Sequence, residues 1–439
     1  MSATVFAALT AVHAGAGVAI NATAAEAARH VASTKAIRNL FPALKRKENG
    51  ERVAYFDGPG GTQVPKSVAD AMSDYLLYHN ANTHWSYPTS VETDTMLAES
   101  RAALADFLGA DADEIAFGSN MTTLLFHISR AIGRTLQPGD EIIVTELDHH
   151  ANIAPWQALE QERGAVLRWV PLDLETGRHQ NGAFEQLLNA KTKVVALGAA
   201  SNILGTITDV APMLAAAKAI GAITVVDAVH YAPHTLVNAH ELDADFLLCS
   251  AYKFYGPHIG VCYGKRSVIE ALDVPRLEPA PDYSPERLET GTQNHEGIID
   301  AAAAVAFLES LAPKHLSSRR ERLAATFQAV HERGEELLLQ LWNGLSDISA
   351  VTIMGPKPGT PRTPTVSFHV AGFNSQQVAE FLAPRGVYVS NGDFYASTVA
   401  RRMGLSEQGL VRAGCACYTT SDEITRLVDG IRELVAQPE

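Results

Sequence analysis

Two residues with chemical potential stand 26 positions apart: Asp227, which ends the β-branched run AITVVD, and Lys253, inside the apolar run DFLLCSAYKFYGP. A carboxylate at the C-terminal end of a strand stands where open α/β sheets bind ligands. A lysine in apolar surroundings must snorkel, pair or lose its proton, and an amine with a depressed pKa is the type that forms Schiff bases. An acid for a pyridinium nitrogen, followed by an amine for an aldehyde, points to pyridoxal 5'-phosphate (PLP). A helix-capping Asp and a snorkelling Lys are the plainer alternative, so the reading depends on what the rest of the chain places nearby.

Three other strand ends carry polar groups. The turn FGSNMTT, Phe117 to Thr123, offers backbone N–H groups and hydroxyls at a helix start, which suits a phosphate but also describes ordinary caps. In TELDHHANIAPW, His149 and His150 follow a strand, where an imidazole could stack on an aromatic cofactor, join a metal pair or simply occupy a surface loop. SNILG, Ser201 to Gly205, brings Asn202 to a third strand end. Polar groups at consecutive strand ends make a binding site more credible than any one of them alone.

The elements that must position these groups alternate. ESRAALADFLG reads as a helix ending at Gly109, EIAFG as a strand and NMTTLLFHISRAI as a helix. EIIVTEL, KVVALGAAS and AITVVD read as strands separated by the helices NIAPWQALEQERG and PMLAAAKAIG. Apolar strands alternating with helices describe a mainly parallel, doubly wound sheet covered on both faces. After Gly260 the pattern changes to a long amphipathic helix and a short α+β set in which LVRAGCACY reads as one strand. The last helix begins at TSDEITRL, where Thr420 and Glu423 have capping-box spacing. The expected organisation is an Ala-rich extension over 1–38, a segment over 39–61 joining the small domain, a large domain over 62–312 and a small C-terminal domain over 313–439.

The chain has 439 residues, 46% hydrophobic and 19% charged, with a net charge of −14. That is a folded protein too large for one ordinary core, and its charge argues against nucleic-acid binding. No run approaches the roughly 18 apolar residues of a membrane span. Cys249, Cys262, Cys415 and Cys417 give no disulfide framework, which suits a reducing cytoplasm. Cys415 and Cys417 are expected on one face of a strand, where packing is a better role than metal binding.

The stretches YFDGPGGTQVP (Tyr55 to Pro65), ANTH (Ala81 to His84), DHHAN, SNILGT, VVDAVHY, CSAYKFYGPHIG, LETGTQN and VRAG follow one another in the order of a known family. Over roughly residues 50 to 430 the chain resembles the class V aminotransferases of PLP fold-type I, and most closely their cysteine desulfurase and selenocysteine lyase branch. The resemblance implies an α/β large domain, a smaller α+β C-terminal domain, a homodimer and PLP. It implies that Lys253 carries the cofactor's aldehyde and shuttles protons, that Asp227 pairs with the pyridine nitrogen, and that His149 stacks on the ring and assists proton transfer. Asn202 and His230 would approach the phenolic oxygen, His230 standing where relatives often have Gln. Met121 (through its N–H), Thr122, Ser250 and Tyr252 would hold the phosphate, Tyr252 replacing a usual His. Gly291 and Thr292 would reach the phosphate of the neighbouring subunit, and Arg412 would clamp the substrate's α-carboxylate.

One departure bears on the reaction. Desulfurases of this branch carry a nucleophilic cysteine after the strand corresponding to VYVS, and Tyr395 stands at that place here. A phenol cannot form a persulfide. His84 matches a histidine near the substrate, with Trp85 following where desulfurases commonly have Arg. The resemblance therefore implies a small α-amino acid substrate and an elimination of the lyase or desulfurase type. An epimerase or aminotransferase with Tyr395 as an acid, or a PLP-binding protein without catalysis, are the alternatives. No residue identifies a sulfur-accepting partner protein.

Overall fold

The structure, a computed structural model, describes residues 26–437. Strands β1 (Ile115–Gly118), β2 (Glu141–Thr145), β3 (Val166–Val170), β4 (Thr192–Gly198), β5 (Ile223–Asp227), β6 (Phe246–Ser250) and β7 (Gly260–Gly264) form a seven-stranded sheet. Its order is β1-β7-β6-β5-β4-β2-β3, and β7 alone is reversed, antiparallel to both its neighbours. Every residue of β2, β6 and β7 is buried, as both faces of a parallel sheet require. Alternation assigns Leu247 and Cys249 to one core and Phe246 and Leu248 to the other. The expected doubly wound α/β architecture is therefore present.

The helices between strands are set by local signals. Helix α1 (Pro88–Leu108) stops at Gly109, whose φ of +66° is the left-handed conformation that ends helices. A side chain there would meet the Asn238 Cα at 2.8 Å, so glycine is also needed for packing. Helix α2 (Met121–Gly133) starts where the Asn120 side chain accepts from the Thr123 N–H at 2.9 Å. Helix α3 (Ala154–Arg163) follows β2, α4 (Ala211–Ala219) leads into β5, and α5 (His295–Ser310) packs on α1.

Helix α6 (Arg319–Ser346) is shared by two cores. Leu323, Ala325 and Phe327 belong to the larger core, whereas Leu338, Leu341 and Leu345 belong to a separate one. That second core lies against a four-stranded antiparallel sheet of β8 (Val351–Met354), β9 (Thr365–Val370), β10 (Ser390–Gly392) and β11 (Leu410–Gly414), ordered β8-β9-β11-β10. Helices α7 (Ser375–Leu382) and α8 (Ser421–Val435) complete it. The predicted capping box of α8 is present, Glu423 bonding the Thr420 N–H at 2.9 Å. The chain's early residues return to this region: Ala54 and Tyr55 pair in parallel with Val387 and Tyr388.

One expectation changes. The strand expected through Cys417 ends at Gly414, because the next N–H groups turn to other partners. Cys415 N–H donates to the Pro364 carbonyl, and Cys417 N–H to the Tyr255 hydroxyl. The two cysteines accordingly pack into different cores instead of one strand face. Residues 1–25 of the expected extension lie outside the described residues, while Ala27, Ala28, Val31 and Ile37 are buried in the larger core. Among the described residues no helix is long and apolar enough to cross a membrane.

Candidate active site

The C-terminal ends of β2, β4, β5 and β6 bring together His149, Asn202, Asp227 and Lys253, and the second sheet adds Arg412 from β11. Lys253 ends a 3-10 turn, Ala251–Lys253, placed directly after β6. Its Nζ donates to the carbonyls of Pro59 and Gly60, the latter at 3.0 Å, and lies 4.9 Å from the Tyr252 ring centroid. Burial pushes the amine down to about 8, the Arg412 charge adds to this, and Asp57 and Asp227 oppose it.

Asp227 closes β5, and its Oδ1 accepts from the Val229 N–H at 2.9 Å. Burial raises its carboxyl to about 6, against that hydrogen bond and the Lys253 charge. His149 follows β2, and its Nδ1 accepts from the Ala151 N–H at 3.0 Å, which leaves the proton of the neutral ring on Nε2. Burial first, then Lys253, Arg412 and His150, hold the imidazole down at about 4, so it is neutral at physiological pH.

The turn expected to hold a phosphate forms the start of α2. Met121 N–H donates to Ser250 Oγ at 3.0 Å, tying the helix start to the end of β6. Gly260 permits this approach, since a Cβ there would lie 2.4 Å from the Asn120 carbonyl carbon. Thr122 is half-buried on the same turn. The Tyr252 ring stacks on His258 at 4.8 Å and 15°.

Arg412 is 3% exposed. Its Nη1 donates to the Asn202 carbonyl at 3.0 Å and its Nη2 to Ser390 Oγ at 3.3 Å, with Asp57 Oδ1 at 3.6 Å. Its Nε is buried with no hydrogen-bond partner, as is Asn202 Oδ1. Burial lowers the guanidinium to about 10, which leaves it charged. His230 is buried, its Nε2 lying 3.0 Å from Thr363 Oγ1 and 3.2 Å from Thr365 Oγ1. Burial, then His234, Arg412 and Lys253, drive its pKa well below the usual imidazole range. Tyr395 is exposed, its ring 5.7 Å from that of His149.

Three predicted residues stand outside this set of contacts. The His84 side chain is exposed and its Nδ1 is 3.3 Å from Asp94. Gly291 and Thr292 lie on an exposed turn before α5, where a Cβ on Gly291 would meet nothing within 4 Å.

Sequence reasoning missed Asp148, which anchors the loop bearing His149. Buried, it accepts from Thr145 Oγ1 and Asn152 Nδ2 at 2.8 Å and from the Gly198 N–H at 3.0 Å. Burial, with the nearby Asp227 charge, raises it to about 7 against the hydrogen bonds from Thr145, Asn152 and Gly198. A Cβ at Gly198 would sit 2.6 Å from Asp148 Oδ1, so that glycine and this acid were the available signal. Asp57, Ser390, His258 and Phe394 were also missed.

Comparison with known proteins agrees with this fold. The aminotransferase class-V family profile matches residues 54–427. The chain is 35% identical over 418 residues to the probable cysteine desulfurase 2 of Mycobacterium leprae, covering 90% of this chain and 95% of that protein. It is 32% identical over 415 residues to a probable cysteine desulfurase of Vibrio cholerae, covering 91% and 98%. Among solved structures, the apo cysteine desulfurase of Thermococcus onnurineus NA1 superposes with a TM-score of 0.82 at 29% identity, covering 91% of this chain and 98% of that one. The cysteine desulfurase CsdA of Escherichia coli gives a TM-score of 0.79 at 25% identity, with 92% and 98% covered. The family uses PLP. On the family profile, the relatives and the shared fold, the chain belongs to the aminotransferase class-V family, as an enzyme of the cysteine desulfurase-like group.

Proposed function

We propose that this cleft binds PLP at Lys253 and acts on a small α-amino acid by a lyase or desulfurase-type elimination. The observation that carries the reading is Arg412: a buried guanidinium with an unpartnered Nε, near enough to Lys253 to depress its amine. A carboxylate satisfies such a donor by charge-assisted hydrogen bonding, and an α-amino acid so held presents its Cα side toward the lysine.

The residues present fit PLP: an amine of lowered pKa, a buried acid, a neutral imidazole and a capped helix start. When bound, PLP supplies an electron sink for the pair released at the substrate carbon. Lys253 would hold the aldehyde and carry protons on Nζ, and Asp227 would hold the pyridine nitrogen. His149 would lie against the ring, with Asn202 and His230 toward the phenolic oxygen. Met121, Thr122, Ser250 and Tyr252 would hold the phosphate.

The substrate side differs from a thiol-dependent desulfurase. By the family resemblance Tyr395 would stand where those enzymes carry the nucleophilic cysteine, and all four cysteines of this chain are buried. Burial pushes the Cys415 and Cys417 thiols up to about 12, far from thiolate chemistry. Substrates whose β-substituent departs without attack by a protein thiol, such as cysteine sulfinate or selenocysteine, fit best. Incubating the holoenzyme with each amino acid and assaying products tests this. Turnover of the sulfinate or selenol substrate should exceed sulfide release from L-cysteine, and Arg412→Ala should raise the substrate requirement on the order of 10²-fold. Brisk sulfide release from L-cysteine, lost in Cys415→Ser, would overturn the thiol-free reading.

The active unit we propose is a homodimer. Leu76, Leu77, Tyr78, Trp85 and Tyr87 are all exposed within a short stretch, an apolar concentration beyond ordinary surface scatter. A second copy covering it would also explain the outward placement of His84, Gly291 and Thr292. Light scattering should give twice the monomer mass for the wild type and the monomer mass for the Leu77→Asp/Trp85→Asp protein; a monomeric wild type removes the proposal. The four unpaired cysteines fit a reducing, cytoplasmic setting, which is part of the same reading.

A further inference from the structure

The loop after β10 contains two consecutive non-glycine residues with left-handed backbones, Phe394 and Tyr395, each at φ +56°. Such conformations are uncommon outside glycine and persist where surrounding contacts hold them. Here three contacts do so. Asn202 Nδ2 donates to the Phe394 carbonyl at 2.9 Å, His150 N–H to the Tyr395 carbonyl at 2.7 Å, and Tyr395 N–H to Asp393 Oδ1 at 3.0 Å.

The held backbone aims the Phe394 ring at Arg412, whose guanidinium carbon is 4.1 Å from the ring centroid. Asn202 closes the circuit, because its carbonyl accepts from Arg412 Nη1 while its side chain holds the Phe394 carbonyl. Three residues from three separate segments thus lock one another. The aromatic ring attracts the cation and occupies one side of it. The Nη1 and Nη2 donors are engaged by Asn202 and Ser390, and Nε is left unpartnered.

We propose that Phe394 is a positioning residue that fixes the Arg412 guanidinium, and thereby sets the affinity of the site for the substrate's carboxylate. This rests on the assignment of Arg412 as the carboxylate clamp. Phe394 touches the clamp and not the reacting atoms, so its effect falls on binding and not on the chemical step.

The test uses two readouts: propionate titrated into the cofactor-free protein and followed by NMR, and the KM and kcat of the holoenzyme for its amino acid. Phe394→Gly suits the left-handed backbone and so keeps the loop without the ring. It should weaken propionate binding and raise KM about tenfold, the loss expected for a desolvated cation–π contact, with kcat within about twofold. Phe394→Tyr keeps an aromatic face and should restore both values to near wild type. Arg412→Ala serves as the reference for the clamp itself. If it weakens propionate and Phe394→Gly does not, or if Phe394→Gly lowers kcat with KM unchanged, the role of Phe394 is overturned while the clamp stands. If Arg412→Ala leaves propionate binding unchanged, the clamp assignment falls and the role of Phe394 with it.

Discussion

Lys253→Ala loses the visible absorption of lysine-bound PLP, and turnover falls by roughly 10²–10⁴-fold from proton transfer alone. The expectation follows from the position of the amine. Its Nζ is held by two backbone carbonyls at the end of a rigid 3-10 turn, and burial beside Arg412 brings its pKa to about 8. A fraction is therefore unprotonated near neutral pH and able to attack an aldehyde. Among the described residues no other lysine shares these contacts, so no neighbouring amine is placed to take over. Absorption spectroscopy after reconstitution with PLP, followed by single-turnover assays, checks both parts. A Lys253→Ala protein that keeps the wild-type band would remove Lys253 from the cofactor site.

Asp227→Asn should have opposite effects on activity and stability. On the proposed pairing of Asp227 with the ring nitrogen, turnover falls roughly 10²–10³-fold, since a buried charge is worth most where water is excluded. Stability of the cofactor-free protein rises. Burial lifts the Asp227 pKa from 3.8 to about 6, so the folded protein binds this proton more tightly than the unfolded chain. The stabilising contribution is complete below pH about 4 and is lost as pH climbs through 6. Above that range the ionised carboxylate costs the fold about 3 kcal/mol relative to a neutral group. Asp148 relaxes in the same direction, because the Asp227 charge is one cause of its own raised pKa. Thermal melts from pH 4 to pH 8 should show the variant gaining on the wild type as pH rises. Parallel curves would contradict the buried-charge account.

Much of the large sheet and its strand-end groups was legible in the sequence, because apolar β-branched runs announce buried strands and a polar residue closing such a run faces the ligand-binding edge of the sheet. Asp227, Lys253 and the turn at Asn120 are of this kind. Asp148 was hidden by its neighbours: in TELDHHAN it is one of several polar residues in a row, and tertiary contact with Gly198 distinguishes the buried acid. Phe394 was hidden for another reason, since no composition rule predicts a left-handed phenylalanine; the contacts that hold it come from Asn202 and His150, far away in sequence. The overlong strand at Cys415 and Cys417 followed from reading apolar character as continued pairing. The ladder stops because the Pro364 carbonyl and the Tyr255 hydroxyl capture those N–H groups. Sequence likewise carries no sign of which side of a subunit His84 faces.

The parallel pairing of Ala54 and Tyr55 with Val387 and Tyr388 has a consequence for how the enzyme comes into being. It is reinforced by the bridge of Asp57 to Gly414, and Pro59 and Gly60 are the residues that hold the Lys253 amine. During synthesis the large sheet can pair as its strands emerge and Thr62 can meet Tyr252 and Tyr255, yet Ala54, Tyr55 and Asp57 lack their small-domain partners until the last strand has left the ribosome. Contacts of such separation are slow to form and late. The segment that carries Pro59 and Gly60 is therefore fixed at one end by the large domain and at the other by the last strand, so shortening the C-terminus would loosen the setting of the Lys253 amine as well as the small sheet.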